Sequence, residues 1–205
     1  MSEYYITERL AERPDLLKYP PHSHAIESFK WGKPSGTSDL VLFPSRGPVL
    51  IAVVEAKRAL ADELGNRNRE AHAQVVGQLL KYYGRARQLS VEGIQHLRRA
   101  LDATERHRHR ALSPKLILSG RLTEAQATAR IEEGTALRAE QVALHVVVNA
   151  TTEALTGRLL PICEVLARDH RLLINVWALG AGRHDLVPIW PAPVARALGR
   201  RRVKS

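Results

Sequence analysis

One cysteine, Cys163, is the entire thiol complement of the 205 residues. An internal disulfide is therefore excluded, and a reducing cytoplasm is the expected compartment. No apolar run approaches the roughly 18 residues needed to cross a bilayer. The opening residues also lack the basic-then-apolar layout of a secretory leader, so no membrane partner is expected. There is no CxxC pair, no glycine-rich phosphate loop and no internal repeat, which argues against thiol redox chemistry, P-loop nucleotide hydrolysis and solenoid architectures. Nothing matches a helix-turn-helix or a zinc finger, so base reading by those modules is not expected.

What is present is globular. Apolar residues make up 44% and charged residues 25% of the chain, enough to build the core of one generous domain. Lys and Arg number 31 against 21 Asp and Glu, a formal net charge of +10. That balance favours a polyanionic partner, and nucleic acid before membrane, because no basic amphipathic anchor is evident. Residues 1–180 read as a single domain, and 181–205 as a proline-containing tail ending in the basic run Arg200, Arg201, Arg202 and Lys204.

The chemistry concentrates between Gly36 and Tyr82. Ser38 to Phe43 reads as a strand, Ser45-Arg46-Gly47-Pro48 as a turn, and Val49 to Lys57 as a second strand. Val49 to Val54 is apolar at both parities, the pattern of a strand covered on both faces. Side chains alternate along a strand, so Glu55 and Lys57 share one face and Ala56 takes the other. A carboxylate and an ammonium ending a central strand are costly to bury without charged partners. Asp39, on the neighbouring strand, is positioned to set a second carboxylate beside Glu55. Two crowded carboxylates repel unless a cation lies between them, which points to a metal site. The alternative is an exposed Glu/Lys pair at an ordinary strand end.

A helix follows. At 100° per residue, Gln74, Gln78, Lys81, Tyr82 and Arg85 fall on one arc, and Val75, Val76, Leu79, Leu80 and Tyr83 on the adjoining one. The apolar arc is expected to pack on the sheet, with the polar arc directed towards Glu55 and Lys57.

Asp39, the apolar strand ending in Glu55-Ala56-Lys57, and Gln78 with Tyr82 four residues apart resemble the PD-(D/E)xK nuclease superfamily, in its RecB-like QxxxY branch. The start of the chain, Glu3-x-x-Ile6-x-x-x-Leu10-x-x-x-Pro14-Asp15-Leu16-Leu17, also resembles the catalytic domain of NucS/EndoMS endonucleases and the Shedu-type defence nucleases. Gly36-Thr37-Ser38-Asp39 matches the Gly-x-x-Asp of the NucS-like pattern, but with Ser38 where an apolar residue is usual. A second departure is Arg58 to Ala73, longer than the NucS-like linker. That insert reads equally as a lid, a DNA contact through Arg67 and Arg69, or a plain loop. The resemblance covers about Glu3 to Arg87, and Leu116 to Gly120 is the expected next core strand.

The resemblance implies an α/β fold with a restriction-endonuclease-like mixed central sheet flanked by helices. It implies a metal-dependent phosphodiesterase, a DNA endonuclease before an exonuclease, acting in repair or defence. Asp39, Glu55 and the Ala56 carbonyl would hold Mg²⁺, with Mn²⁺ able to substitute and Glu3 joining from the first helix, Glu8 being second choice. Lys57 and Gln78 would complete the catalytic set, while Tyr82, Lys81 and Arg85 would meet the nucleic acid. Members of the superfamily often dimerise, so a homodimer is a further expectation. Two alternatives stand beside this one: a non-cleaving DNA-binding or scaffold module on the same fold, and an RNA-processing or defence nuclease.

The remainder is regular but carries less chemistry. Ser2 is placed to cap a helix from Glu3 to Arg13 that Pro14 stops. His22 and His24 form an HxH pair in a proline loop, expected to face solvent. Ala25 to Trp31, Lys115 to Ser119, Gln141 to Asn149 and Arg171 to Leu179 read as strands. Leu89 to Arg110, Thr123 to Glu133 and Thr152 to Asp169 read as helices, with Gly180 onward loop-like. His145 and Cys163 sit in apolar segments and are expected to be structural.

Overall fold

Spatial order follows chain order in a six-stranded mixed sheet, β1-β2-β3-β4-β5-β6. The computed structural model of the chain describes residues 3–31, 36–57, 71–108, 134–149, 155–179 and 185–190. Its strands are β1 (His24–Lys30), β2 (Thr37–Phe43), β3 (Ile51–Lys57), β4 (Val142–Val148), β5 (Ile174–Leu179) and β6 (Leu186–Trp190). The first three run antiparallel, β3, β4 and β5 are parallel, and β6 returns antiparallel. Helices α1 (Glu3–Glu12), α2 (Ala71–Gln88), α3 (Val91–Arg108) and α4 (Leu160–His170) accompany them. The fold class is therefore α/β. No helix among the described residues is long and apolar enough to cross a membrane.

The two-sided apolar pattern of β3 follows from its position between β2 and β4. Val41, Phe43, Ile51 and Val53 bury one face of the sheet with Val75, Leu79 and Tyr82 of α2 and with Ile94 and Leu97 of α3. Leu40, Leu42, Ala52 and Val54 bury the other with Ile6 and Leu10 of α1 and with Leu16 and Leu17 of a 3-10 turn, Pro14–Leu17. Each fully buried aliphatic or aromatic side chain of this kind stabilises the fold by about 1.5–3 kcal/mol.

Several expectations change. The segment after Gly180 is not all loop, because Leu186–Trp190 forms β6. Its Pro188 cannot donate to a ladder, yet an edge strand tolerates that, and the pairing with β5 carries an irregularity between Val176 and Trp177. On α2, Leu80 is 38% exposed whereas Tyr82 is 2% exposed. The buried stripe runs Val75, Val76, Leu79, Tyr82, Ala86, so Tyr82 joins the apolar arc and Leu80 leaves it. His22 is exposed, but His24 is buried, with Nε2 2.8 Å from Asp102 Oδ1 on α3. A π turn, Leu155–Leu159, leads into α4. The expected strand Lys115–Ser119, the expected helix Thr123–Glu133 and the terminal basic run lie outside the described residues, as do Arg67 and Arg69.

Candidate active site

The β2–β3 ladder ends at the pair Leu40 and Val54, which sets Asp39 opposite Glu55 one step further on. Directly paired residues of antiparallel strands direct their side chains to the same face, and Glu55 and Lys57 share a face by strand alternation. Local pairing thus gathers all three groups on the face that α2 covers. Lys57 Nζ lies 3.0 Å from Glu55 Oε2 and 3.4 Å from Asp39 Oδ2, so one ammonium bridges two carboxylates.

The three groups differ in access to water. The Glu55 side chain is 2% exposed, against 30% for Asp39 and 25% for Lys57. This removes the alternative of a solvated Glu/Lys pair. Burial first, and the neighbouring Asp39 carboxylate second, push the Glu55 carboxyl up to about 7, against the lowering effect of Lys57. The charge count explains the direction, since two carboxylates and one ammonium leave a net negative charge inside the fold. Glu55 Oε1 is buried and has no hydrogen-bond partner among the described residues. An acceptor in that state is expensive unless something positive meets it.

Asp39 serves a second purpose. Its Oδ2 accepts the Ala56 N–H at 2.8 Å, replacing a ladder bond where β2 and β3 part. The N–H and C=O of one strand residue face the same neighbour, so the Ala56 carbonyl is also directed to the Asp39 side of β3. Two carboxylates and a carbonyl therefore converge on one strand end. Such hard oxygen donors suit Mg²⁺, which takes an octahedral shell at about 2.0–2.1 Å and completes it with water and phosphate oxygens. Among the described residues no group of three or more His, Cys, Asp or Glu side chains is arranged to hold a metal.

The other candidates are placed as follows. Gln78 is half-buried on α2, one turn before Tyr82. Tyr82, expected at a phosphate, is instead stacked on Trp31 with ring centroids 5.9 Å apart, and its hydroxyl donates to the Thr37 carbonyl at 2.7 Å. Burial and then the charges of Glu55 and Asp39 raise its phenol to about 12, so the hydroxyl stays protonated within electrostatic reach of the carboxylates. Lys81 is exposed, and half-buried Arg85 donates to Gln88 Oε1 at 3.1 Å. Helix α1, which Glu3 opens and which includes Glu8, packs on the face opposite the carboxylate pair, with Ile6 and Leu10 against Leu40 and Val54.

Sequence reasoning missed Trp31 and undervalued Ser38. Trp31 Nε1 donates to Ser38 Oγ at 2.9 Å, in a contact buried from solvent. Ser38, the departure from the usual apolar residue, is fully buried and is the acceptor that Trp31 requires. The signal was a hydroxyl in an otherwise apolar strand, seven residues after a tryptophan. Compared with known proteins, the chain matches no family model, no curated protein and no solved structure.

Proposed function

We propose that the chain is a Mg²⁺-dependent nuclease that hydrolyses phosphodiester bonds of DNA on a restriction-endonuclease-like core. One observation carries the proposal: Asp39, Glu55 and Lys57 meet at the end of a central strand, two carboxyl groups sharing one ammonium, with a buried, partnerless Glu55 Oε1. The mixed α/β sheet with helices on both faces is compatible with that core.

Asp39, Glu55 and the Ala56 carbonyl would hold the ion. Bound there, Mg²⁺ supplies Lewis-acid polarisation of the scissile phosphate and acidifies an attacking water. The chain's own groups do the rest. Asp39 holds its orientation through the Ala56 N–H, so its carboxylate needs little reorganisation. Lys57 Nζ, tethered to both carboxylates, is a compact donor able to orient the water and to offset charge developing on the phosphate. Gln78, one turn before Tyr82 on α2, would by the resemblance orient that water. The net charge of +10 supplies long-range attraction to the backbone, and Lys81 and Arg85 of α2 would add to it.

A metal-dependent cleavage assay tests the proposal. Supercoiled DNA, linear DNA and RNA are incubated with the full chain in Mg²⁺, Mn²⁺ or EDTA. Asp39→Ala, Glu55→Ala and Lys57→Ala are each expected to lower cleavage at least about 100-fold, the scale on which a charge-stabilising group acts. Near wild-type activity in any two variants refutes the site. Cleavage of RNA alone moves the reading to an RNA nuclease. Binding without cleavage in any metal makes the chain a DNA-binding module.

A further inference from the structure

We propose that Trp31 and Tyr82 act as positioning residues that fix Asp39 by clamping the two residues before it from opposite chemical handles, one on a side chain and one on the backbone. The proposal rests on the reading of Asp39 as a metal ligand given above. Trp31 Nε1 donates to Ser38 Oγ at 2.9 Å, and Tyr82 Oη donates to the Thr37 carbonyl at 2.7 Å. The two rings stack on each other, 5.9 Å apart and tilted by only 18°, so the clamp joins the residue after β1 to α2. Trp31 N–H also donates to the Gly36 carbonyl at 2.9 Å, at a glycine with φ of +87°. Three successive residues, Gly36, Thr37 and Ser38, are thus held by Trp31 and Tyr82 before the chain reaches Asp39.

The need for such a device comes from the ladder. On the β3 side, the backbone pairing stops at Leu40, and the Asp39 side chain takes the next N–H. On the β1 side, Glu27 pairs with Leu40 and Phe29 with Ser38, and the intervening Ser28, opposite Asp39, has φ of +52°. A non-glycine residue in the left-handed region inside a strand breaks regular pairing at that point. Asp39 therefore lies where pairing has ended on the β3 side and is interrupted at Ser28 on the β1 side. The clamp reinforces Thr37 and Ser38, which pair with Lys30 and Phe29 of β1 but have no partner in β3. Outer groups that orient ligands typically change metal affinity by about 10–100-fold when removed.

Mg²⁺ affinity, measured by isothermal titration calorimetry on the full chain, reads this separately from turnover. Tyr82→Phe keeps the stacked ring and removes only the donor to Thr37, and is expected to weaken Mg²⁺ binding about 10-fold. Ser38→Ala strands the buried Trp31 N–H and is expected to lower both thermal stability and affinity. The double variant Trp31→Phe/Ser38→Ala removes both partners, so the cost of an unpaired N–H disappears and only that of the smaller ring remains, while affinity stays reduced. Wild-type affinity in both Tyr82→Phe and the double variant overturns the clamp. Asp39→Asn is the control that separates the two claims. If wild type binds Mg²⁺ and Asp39→Asn does not, only the clamp is at stake in the other variants. If Asp39→Asn binds as wild type does, the metal-site reading fails, and the clamp falls with it.

Discussion

Replacing Glu55 with glutamine should change how stability depends on pH, in a direction opposite to that of most carboxylates. The Glu55 carboxyl is raised to about 7 in the fold from an ordinary value of 4.5, chiefly by burial. Below 4.5 both folded and unfolded chains carry the proton, and the folded state keeps its full stability. Between 4.5 and 7 the unfolded chain releases the proton while the folded one retains it, so stability falls as pH rises. At about 1.4 kcal/mol per unit, the loss amounts to about 3 kcal/mol above neutrality in the absence of metal. His145 has the opposite sign. It is buried and lowered to about 3, so the unfolded chain takes up its proton as pH falls through the ordinary histidine value of 6.5. Its slope opposes that of Glu55 between 4.5 and 6.5, so the wild-type curve alone does not isolate the carboxyl. The difference between wild type and Glu55→Gln isolates the carboxyl. Urea unfolding in EDTA at several values from pH 4.5 to 8 should show the variant gaining about 3 kcal/mol on wild type across that range. A difference independent of pH would mean that Glu55 is not held protonated, and that burial beside Asp39 does not shift its titration.

Three further outcomes are expected. Mg²⁺ added at pH 8 should raise the melting temperature of wild type but not of Asp39→Asn or Glu55→Gln, because only a ligand for the folded state shifts the equilibrium; equal shifts in all three would place the ion elsewhere. Ser28→Gly should leave stability unchanged or raise it by up to about 1 kcal/mol, since glycine adopts a φ of +52° without a Cβ clash, whereas Ser28→Val should cost more than about 1 kcal/mol; chemical denaturation checks both. DNA affinity should fall with salt at a log–log slope of about −0.9 per phosphate contact, and deleting residues 199–205 should make it shallower by one to a few units if the basic run contributes; an unchanged slope assigns the attraction to other Lys and Arg residues.

The central strand was legible because burial on two faces leaves a plain trace: Ile51, Ala52, Val53 and Val54 have no polar residue between them. The Glu55 and Lys57 pairing was legible for the same geometric reason, since alternation fixes the face. Tyr82 was not, because a phenol is at home in either arc of a helix and its partner, the Thr37 carbonyl, is 45 residues distant. β6 was hidden by Pro188, which the period-2 pattern treats as a break although an edge strand tolerates it. The buried His24 shows a similar limit. A proline loop suggests exposure, and only the placement of α3 brings Asp102 to it.

The parallel pairing of β3 with β4 has a consequence for biogenesis. Ile51 lies against Val142, 91 positions later, and the same offset holds along the ladder to Lys57 and Val148. During synthesis, everything from Glu3 to Arg108 is made before β4, the second neighbour of β3, exists. Over that interval β3 presents an unpaired edge of Ile, Ala and Val, the kind of edge that recruits other chains. Closing so distant a contact is also slow, because the entropy of loop closure is lost before the pairing compensates for it. A fragment ending after α3 would hold every described candidate residue of the site and still be expected to aggregate. β4 is thus an intramolecular guardian of the strand that carries Glu55 and Lys57, and expression at low temperature or with a holdase should favour soluble full-length chain.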